Sequence, residues 1–411
     1  MMMLLALLWL LVWGAMFSGP WYIELPEFLK DPLVFFQGTR AFLPLAAIFF
    51  CLLWMLAKRP RYLFRGASMR FLAAYCLIGI LTSLFLSPEI GTSLYWAGMY
   101  LSPLLVTWCA FELQDAKAGV KKLIVINYGV FFLITLSLLP ESLRAGWGHT
   151  PLNQQYKLPL GVGSILTNGA GRFALVVIIV ATVRFVTQKK KWRWVWLAVL
   201  PPTLFLLTQT QSRTALLGLA VAGVLFVFLR GIDWRYFILG PATAAAIFIS
   251  GFRWRVHGNL GRLILLSGRE ATWQRGLAQI QNSPFLGWGF HADRIVLQSE
   301  HMHNSFLHAM IQTGLVGALV FLAAFLSVWF VIFRARLFSR ARTMSGNDQA
   351  WLMESIMIVG FLTTRSLFES TGAFYGVDLM LLVPALAYIA LAAQEARQPE
   401  IDSSEPLAEA S

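Results

Sequence analysis

The sequence predicts an all-α integral membrane protein of about twelve transmembrane helices with one larger outward loop. Three observations carry this. The 411 residues are 58% hydrophobic and only 13% charged, a balance found in membrane proteins and not in soluble ones. Apolar stretches separated by polar turns recur along the whole chain. Basic residues gather in alternate turns, as the positive-inside rule requires.

The spans run at about 3–17, 35–57, 71–87, 92–112, 123–140, 168–187, 195–208, 211–229, 236–251, 304–333, 351–368 and 376–393. The first is apolar from Met1 and lacks a basic n-region, so it reads as a retained span and not a cleaved signal. The second and third are joined by a turn carrying Lys58, Arg59, Arg61, Arg65 and Arg70. Lys117, Lys121 and Lys122 precede the fifth, and Arg184 with Lys189-Lys190-Lys191 and Arg193 follows the sixth. The eighth opens on Gln211-Ser212-Arg213-Thr214 and has a body of Ala, Leu and Gly. A loop of about fifty residues, 252–302, separates the ninth from the tenth. Arg334, Arg336, Arg340 and Arg342 follow the tenth. With the N-terminus inside, 20 of the 33 basic residues fall in cytoplasmic turns or the tail. Residues 1–398 thus form one polytopic domain, and the acidic stretch 399–411 is expected to be a disordered cytoplasmic tail. Cys51, Cys76 and Cys109 lie far apart in apolar runs, so neither a disulfide framework nor a thiolate metal site is expected.

The other 13 basic residues fall on the outer side: Lys30, Arg40, Arg144, Lys157, Arg172, Arg213, Arg253, Arg255, Arg262, Arg269, Arg275, Arg294 and Arg365. Arginine's planar fork suits bidentate contact with phosphate oxygens. Arg40, Arg172, Arg213 and Arg365 stand in or at the ends of spans, where an unpaired charge costs at least ~2.5 kcal/mol. Snorkelling to headgroups is the alternative for any one of them. Four together favour a site for an anion such as a diphosphate at the outer membrane surface. Arg213 opens a helix, whose N-terminus attracts phosphate. Arg172 follows Thr167-Asn168-Gly169-Ala170-Gly171, a Gly-rich stretch expected to be irregular.

His303-Asn304, then nine residues, then Gly314-Leu315-Val316-Gly317 opens the tenth span. At about 100° per residue, positions 303, 310, 314, 317 and 321 share one stripe. Two glycines there would let another helix approach. An imidazole at the mouth of a span needs a partner or a task. General base is the favoured role for His303, against a structural hydrogen-bonded histidine, and Glu300 could orient it. In the outward loop, Arg269 and Trp273 are four apart and share a helix face, where they could bind phosphate and stack on a sugar. An interfacial helix anchored by Trp273 is the equal alternative. Pro284-Phe285-Leu286-Gly287-Trp288-Gly289 reads as a turn. No metal is expected at His301-x-His303, because neither a cysteine nor an Asp-x-Asp lies nearby, and His308 reads as a packed polar residue. No nucleotide-binding loop, HExxH, GxSxG or internal repeat is present.

The His303-Asn304-(nine residues)-Gly314-x-x-Gly317 pattern resembles the signature of the bacterial O-antigen ligase family, whose superfamily includes O-antigen and exopolysaccharide polymerases. Ser212-Arg213-Thr214, Ser267-Gly268-Arg269…Trp273 and the Pro284–Gly289 turn resemble the same superfamily. The resemblance covers roughly residues 160–330. It implies glycan transfer, in the periplasm, from an undecaprenyl-diphosphate-linked donor to a sugar hydroxyl of lipid A–core, or to another glycan in a polymerase. It further implies a multi-pass protein of the bacterial inner membrane, with membrane lipids but no nucleic acid as partners. By motif, His303 is the base, Arg213 and Arg269 hold the diphosphate, and Arg172, Asn304 and Trp273 are further binding candidates. No metal, ATP or other cofactor is implied. A polyprenyl-glycan flippase is the competing class. It would need polar residues through the bilayer midplane, whereas the arginines here gather at one face.

Overall fold

The computed structural model describes residues 1–16, 39–58, 64–144, 155–157, 164–188, 190–232, 269–298 and 300–397. The expected ninth span (236–251), Lys30, Arg253, Arg255, Arg262, the Ser267-Gly268 pair, the first part of the outward loop (252–268) and the acidic tail lie outside them.

Fourteen α-helices are described. They are α1 (Met2–Gly14), α2 (Leu43–Lys58, entered by the 3-10 turn Arg40–Phe42), α3 (Ala67–Phe85), α4 (Ile90–Phe111), α5 (Ala116–Arg144), α6 (Thr167–Thr187), α7 (Lys190–Thr210) and α8 (Arg213–Arg230). Then follow α9 (Arg269–Asn282), α10 (Ala292–Val296), α11 (Ser305–Arg334), α12 (Leu337–Thr343), α13 (Gly346–Ser366) and α14 (Val377–Arg397). Eight of these, with α2 counted from Arg40, are long and apolar enough to cross a bilayer. The protein is therefore an all-α membrane protein. Every other expected span outside 236–251 falls on one of α1, α7 and α13. One short antiparallel pair was not expected: β1 (Gln155–Lys157) and β2 (Ser164–Leu166), with Tyr156 opposite Ile165. The Gly-rich stretch before Arg172 is not irregular, because α6 already begins at Thr167. Gly171 instead lets α6 close on α8, where a Cβ would stand 2.8 Å from that of Ser212.

The core lies between α6, α13 and α14, whose residues are buried almost throughout. Apolar side chains on α2, α5 and the far end of α11 face outward, among them Phe49, Leu133, Phe330 and Phe333. Several buried polar groups are paired across helices, as hydrocarbon surroundings favour. Asn127 accepts from both Trp9 Nε1 (2.7 Å) and Trp13 Nε1 (2.8 Å) and donates to Met380 O (2.7 Å), tying α1, α5 and α14 together. Glu354, fully buried on α13, receives two hydrogen bonds from Arg184 (2.5 and 3.0 Å).

The 30-residue α11 is not continuous. Gly314 sits at φ 60°, ψ −167°, a conformation essentially reserved for glycine. The helix opens there, and the Pro284–Gly289 turn docks into it. Trp288 N donates to Ile311 O (3.0 Å) and Gly289 N to Gln312 O (2.8 Å), while Leu315 N reaches Pro284 O (2.8 Å) and Val316 N reaches Phe285 O (3.3 Å). Two ordinary i→i−4 bonds are thereby exchanged for four bonds to the turn. The single helical stripe expected through 303, 310, 314, 317 and 321 is corrected accordingly. His303 precedes the helix, and Gly314 is approached by loop backbone and not by a neighbouring helix.

Candidate functional site

His303 stands just outside α11, in the left-handed region at φ 48°. Asn304 is the helix cap. Its Oδ1 accepts from Phe306 N and Leu307 N, both at 3.0 Å, and its Nδ2 donates to Leu367 O (2.9 Å). This satisfies the orphan donors of the first turn and ties the start of α11 to the segment after α13. Ser305 strengthens the tie through Glu369 O (2.8 Å) and Thr371 O (2.9 Å).

His303 is thereby held against Glu369, with Nδ1 3.0 Å from Oε2. The other carboxylate oxygen accepts from Arg269 Nη2 (2.9 Å) and Asn168 Nδ2 (3.0 Å), and Arg269 also donates to Phe368 O. Burial pushes the Glu369 carboxyl up. The His303 hydrogen bond and the charges of Arg365 and Arg269 outweigh it and hold the group at about 2. An ionised carboxylate only accepts, so Nδ1 of His303 carries a proton, and in the neutral imidazole Nε2 is the nitrogen with the lone pair. Nε2 has no hydrogen-bond partner among the described residues, and the His303 side chain is 39% exposed. Orienting His303 falls to Glu369, not to Glu300. Glu300 accepts from Thr272 Oγ1 (2.8 Å) and pairs with Arg275.

Arg213 is the first residue of α8 and is exposed. Ser212 caps that helix, accepting from Ala215 N (3.4 Å) while donating to Asn168 Oδ1 (3.2 Å). Asn168 therefore links the α8 terminus to Glu369. Arg213 and Arg269 feel each other's charge. Arg172 and Arg365 reach the same end of the bundle but turn to Asp378. Arg172 Nη1 is 2.9 Å from Oδ1 and Arg365 Nε is 3.0 Å from Oδ2, which also accepts from Thr371 Oγ1 (3.1 Å). Arg40 lies elsewhere, on the turn whose Ala41 O receives the Tyr95 hydroxyl. Trp273 donates its indole N–H to Met302 O (2.6 Å) and packs into a small apolar cluster with Met302 and Leu297. It braces the chain directly before His303.

His301 and His303 face different carboxylates. His301 Nδ1 lies 2.9 Å from Asp293 Oδ2, and His308 Nδ1 lies 3.3 Å from the same oxygen. These three side chains could hold a cation. His308 is otherwise a packed polar residue as expected, buried between Ser370 Oγ (3.1 Å) and Gln312 Nε2 (2.5 Å).

Sequence reasoning missed Glu369, Asp378, Asn168 and Asp293. The signal was available in part. Four arginines at one end of a membrane bundle need counter-charges, and Glu369 and Asp378 flank the last turn on that side.

Residues 198–322 match the family described as O-antigen ligase. That region contains Arg213, Arg269, Trp273, His303 and Asn304, but not Arg172, Glu369 or Asp378. The chain is similar to "Exopolysaccharide production protein ExoQ" of Rhizobium meliloti (strain 1021), 24% identical over 294 residues. The alignment covers 64% of this chain and 65% of the relative.

Proposed function

We propose, on the premise that this chain carries an O-antigen ligase region across residues 198–322, that it transfers a glycan from an undecaprenyl-diphosphate donor to a sugar hydroxyl, with lipid A–core as acceptor. The observation that carries the reading is the contact of His303 Nδ1 with Glu369 at 3.0 Å, which leaves Nε2 as a base next to the Glu369–Arg269 pair, with Arg213 in reach of the Arg269 charge. Nε2 takes the proton of the acceptor hydroxyl. The acceptor oxygen attacks the anomeric carbon, and the bond to the diphosphate oxygen breaks. The diphosphate leaves as an anion, which Arg213 and Arg269 stabilise without metal or nucleotide. One-step displacement inverts the anomeric centre. Asn304 and Trp273 act by fixing His303. Arg172 supports Arg365 and Asp378 behind the site and lends positive potential to it. The protein sits in the bacterial inner membrane with this end in the periplasm, where donor and acceptor meet among membrane lipids.

The test is transfer by purified protein from a polyprenyl-diphosphate glycan. His303→Ala should lower the rate by ~10²–10⁴, while the thermal melt stays close to that of the parent. An unchanged rate would overturn the role of His303, and absence of any transfer by the parent would favour a polyprenyl-glycan flippase. Similarity to an exopolysaccharide production protein supports a second reading, a polymerase whose acceptor is another lipid-linked glycan. Deletion in the host separates the two. Long polymer on the lipid carrier with bare lipid A–core marks a ligase. Single repeat units mark a polymerase.

A further inference from the structure

At the end of the bundle away from His303, a cleft of about 310 Å³ opens between the start of α3 and the ends of α11 and α14. Val331, Leu386 and Ile389 make apolar walls. Ser68 and Ser327 close on each other across it through a 2.9 Å hydrogen bond, which leaves little polarity inside. Its charged lining residues are both arginines, Arg70 and Arg397, and both are exposed. Among the described residues Arg70 uses only its Nε, on Phe64 O (3.0 Å), which leaves its two terminal nitrogens for an anion. No side chain caps α3, so its first backbone N–H groups add positive potential at the same place. The acid nearest Arg397 along α14, Glu395, is engaged by Lys117 at 3.0 Å. Phe330 lines the cleft and Phe333 lies just beyond it on α11, 63% and 64% exposed in the manner of side chains that face acyl chains.

We propose that this cleft binds one anionic phospholipid, an acyl chain lying between α3, α11 and α14 and the phosphate held by Arg70 and Arg397. An apolar slot that ends in two guanidiniums, with no acid in its lining, matches a molecule that is a hydrocarbon at one end and a phosphodiester at the other. A soluble phosphate would use the arginines and leave the slot empty. A neutral lipid would fill the slot and leave the arginines unmatched. The proposal rests on the functional reading only for naming the leaflet as cytoplasmic.

The full-length protein is extracted from vesicles of equimolar phosphatidylethanolamine and phosphatidylglycerol, and its retained lipids are read by native mass spectrometry. One phosphatidylglycerol per protein, retained in preference to phosphatidylethanolamine, is the expected result. Arg70→Ala/Arg397→Ala should weaken retention about 20–30-fold. Arg70→Lys/Arg397→Lys should keep most of it, which separates lost charge from lost folding. Ser327→Trp should also abolish retention by filling the slot. Equal retention of both lipids, or no effect of the double alanine variant, would overturn the proposal. So would retention that survives Ser327→Trp but is competed away by inorganic phosphate, because the ligand would then be a free anion. A crosslink placing the acidic residues after Arg397 inside the slot would overturn it too. Catalysis is not part of the readout, so failure here is distinguishable from failure of the His303 assignment.

Discussion

At the scale of single residues, the site is a chain of directed hydrogen bonds that ends on one free imidazole nitrogen. Glu369 is the pivot, since it touches His303, Arg269 and Asn168 at once. Glu369→Gln keeps the shape and removes the charge, so it should let His303 adopt the unproductive tautomer. We expect kcat to fall at least ~10-fold with little change in KM, measured by steady-state transfer. The sign of its pH dependence follows from the depressed pKa. Stability from the Glu369 ion pairs is present above the ordinary carboxylate range near 4.5 and is lost as pH falls toward about 2. On the order of 3 kcal/mol is at stake, and melts between pH 6 and pH 3 should drop more steeply for the parent than for Glu369→Gln. Asp378→Asn should cost ~3–5 kcal/mol, because it strands the charges of Arg172 and Arg365 in a buried place. The cations were legible in the sequence, and so was His303. Arginine in a span is improbable without a purpose, and a histidine beside a helix start is conspicuous. That they need carboxylate partners was legible too, but which carboxylate serves which was not, because Glu369 follows His303 by 66 residues and no local spacing joins them.

At the scale of elements, hydropathy located the described spans to within a few residues, because apolar length is what a bilayer selects. It could not foresee that α11 is interrupted. A helix and a helix with one reversed residue have the same composition, and only the glycine at 314 hinted at the break. Two glycines with similar φ test the point. At Gly314 (φ 60°) a Cβ would stand 2.1 Å from the Phe285 carbonyl carbon, whereas at Gly346 (φ 67°) it would meet nothing within 4 Å. Gly346→Ala should cost about 1–2 kcal/mol, the price of left-handed backbone alone. Gly314→Ala should cost well over ~3 kcal/mol and release the Pro284–Gly289 turn. Hydrogen exchange at Leu315 and Val316 reads that release directly.

At the scale of the whole molecule, charge is sorted by end. Arg172, Arg213, Arg269 and Arg365 with Glu369 and Asp378 occupy one end. Lys117, Lys121, Asp348 and Glu395 form a separate network at the other. A cysteine in place of Arg213 should react with an impermeant thiol reagent from outside intact cells, and one in place of Arg340 only after permeabilisation. The opposite pattern would invert the topology and with it the periplasmic assignment. This sorting was legible from basic residues alone, since insertion follows them. The broken helix carries a consequence for biosynthesis. The chain emerges from the ribosome N-terminus first, so the carbonyls of Pro284 and Phe285 exist before the amides of Leu315 and Val316 that need them. The acceptors for the two displaced amides are therefore synthesised before the latter half of α11, and docking of the turn is what spares those amides an uncompensated place in hydrocarbon. The order of the residues along the chain thus places the turn ahead of the membrane helix that it completes.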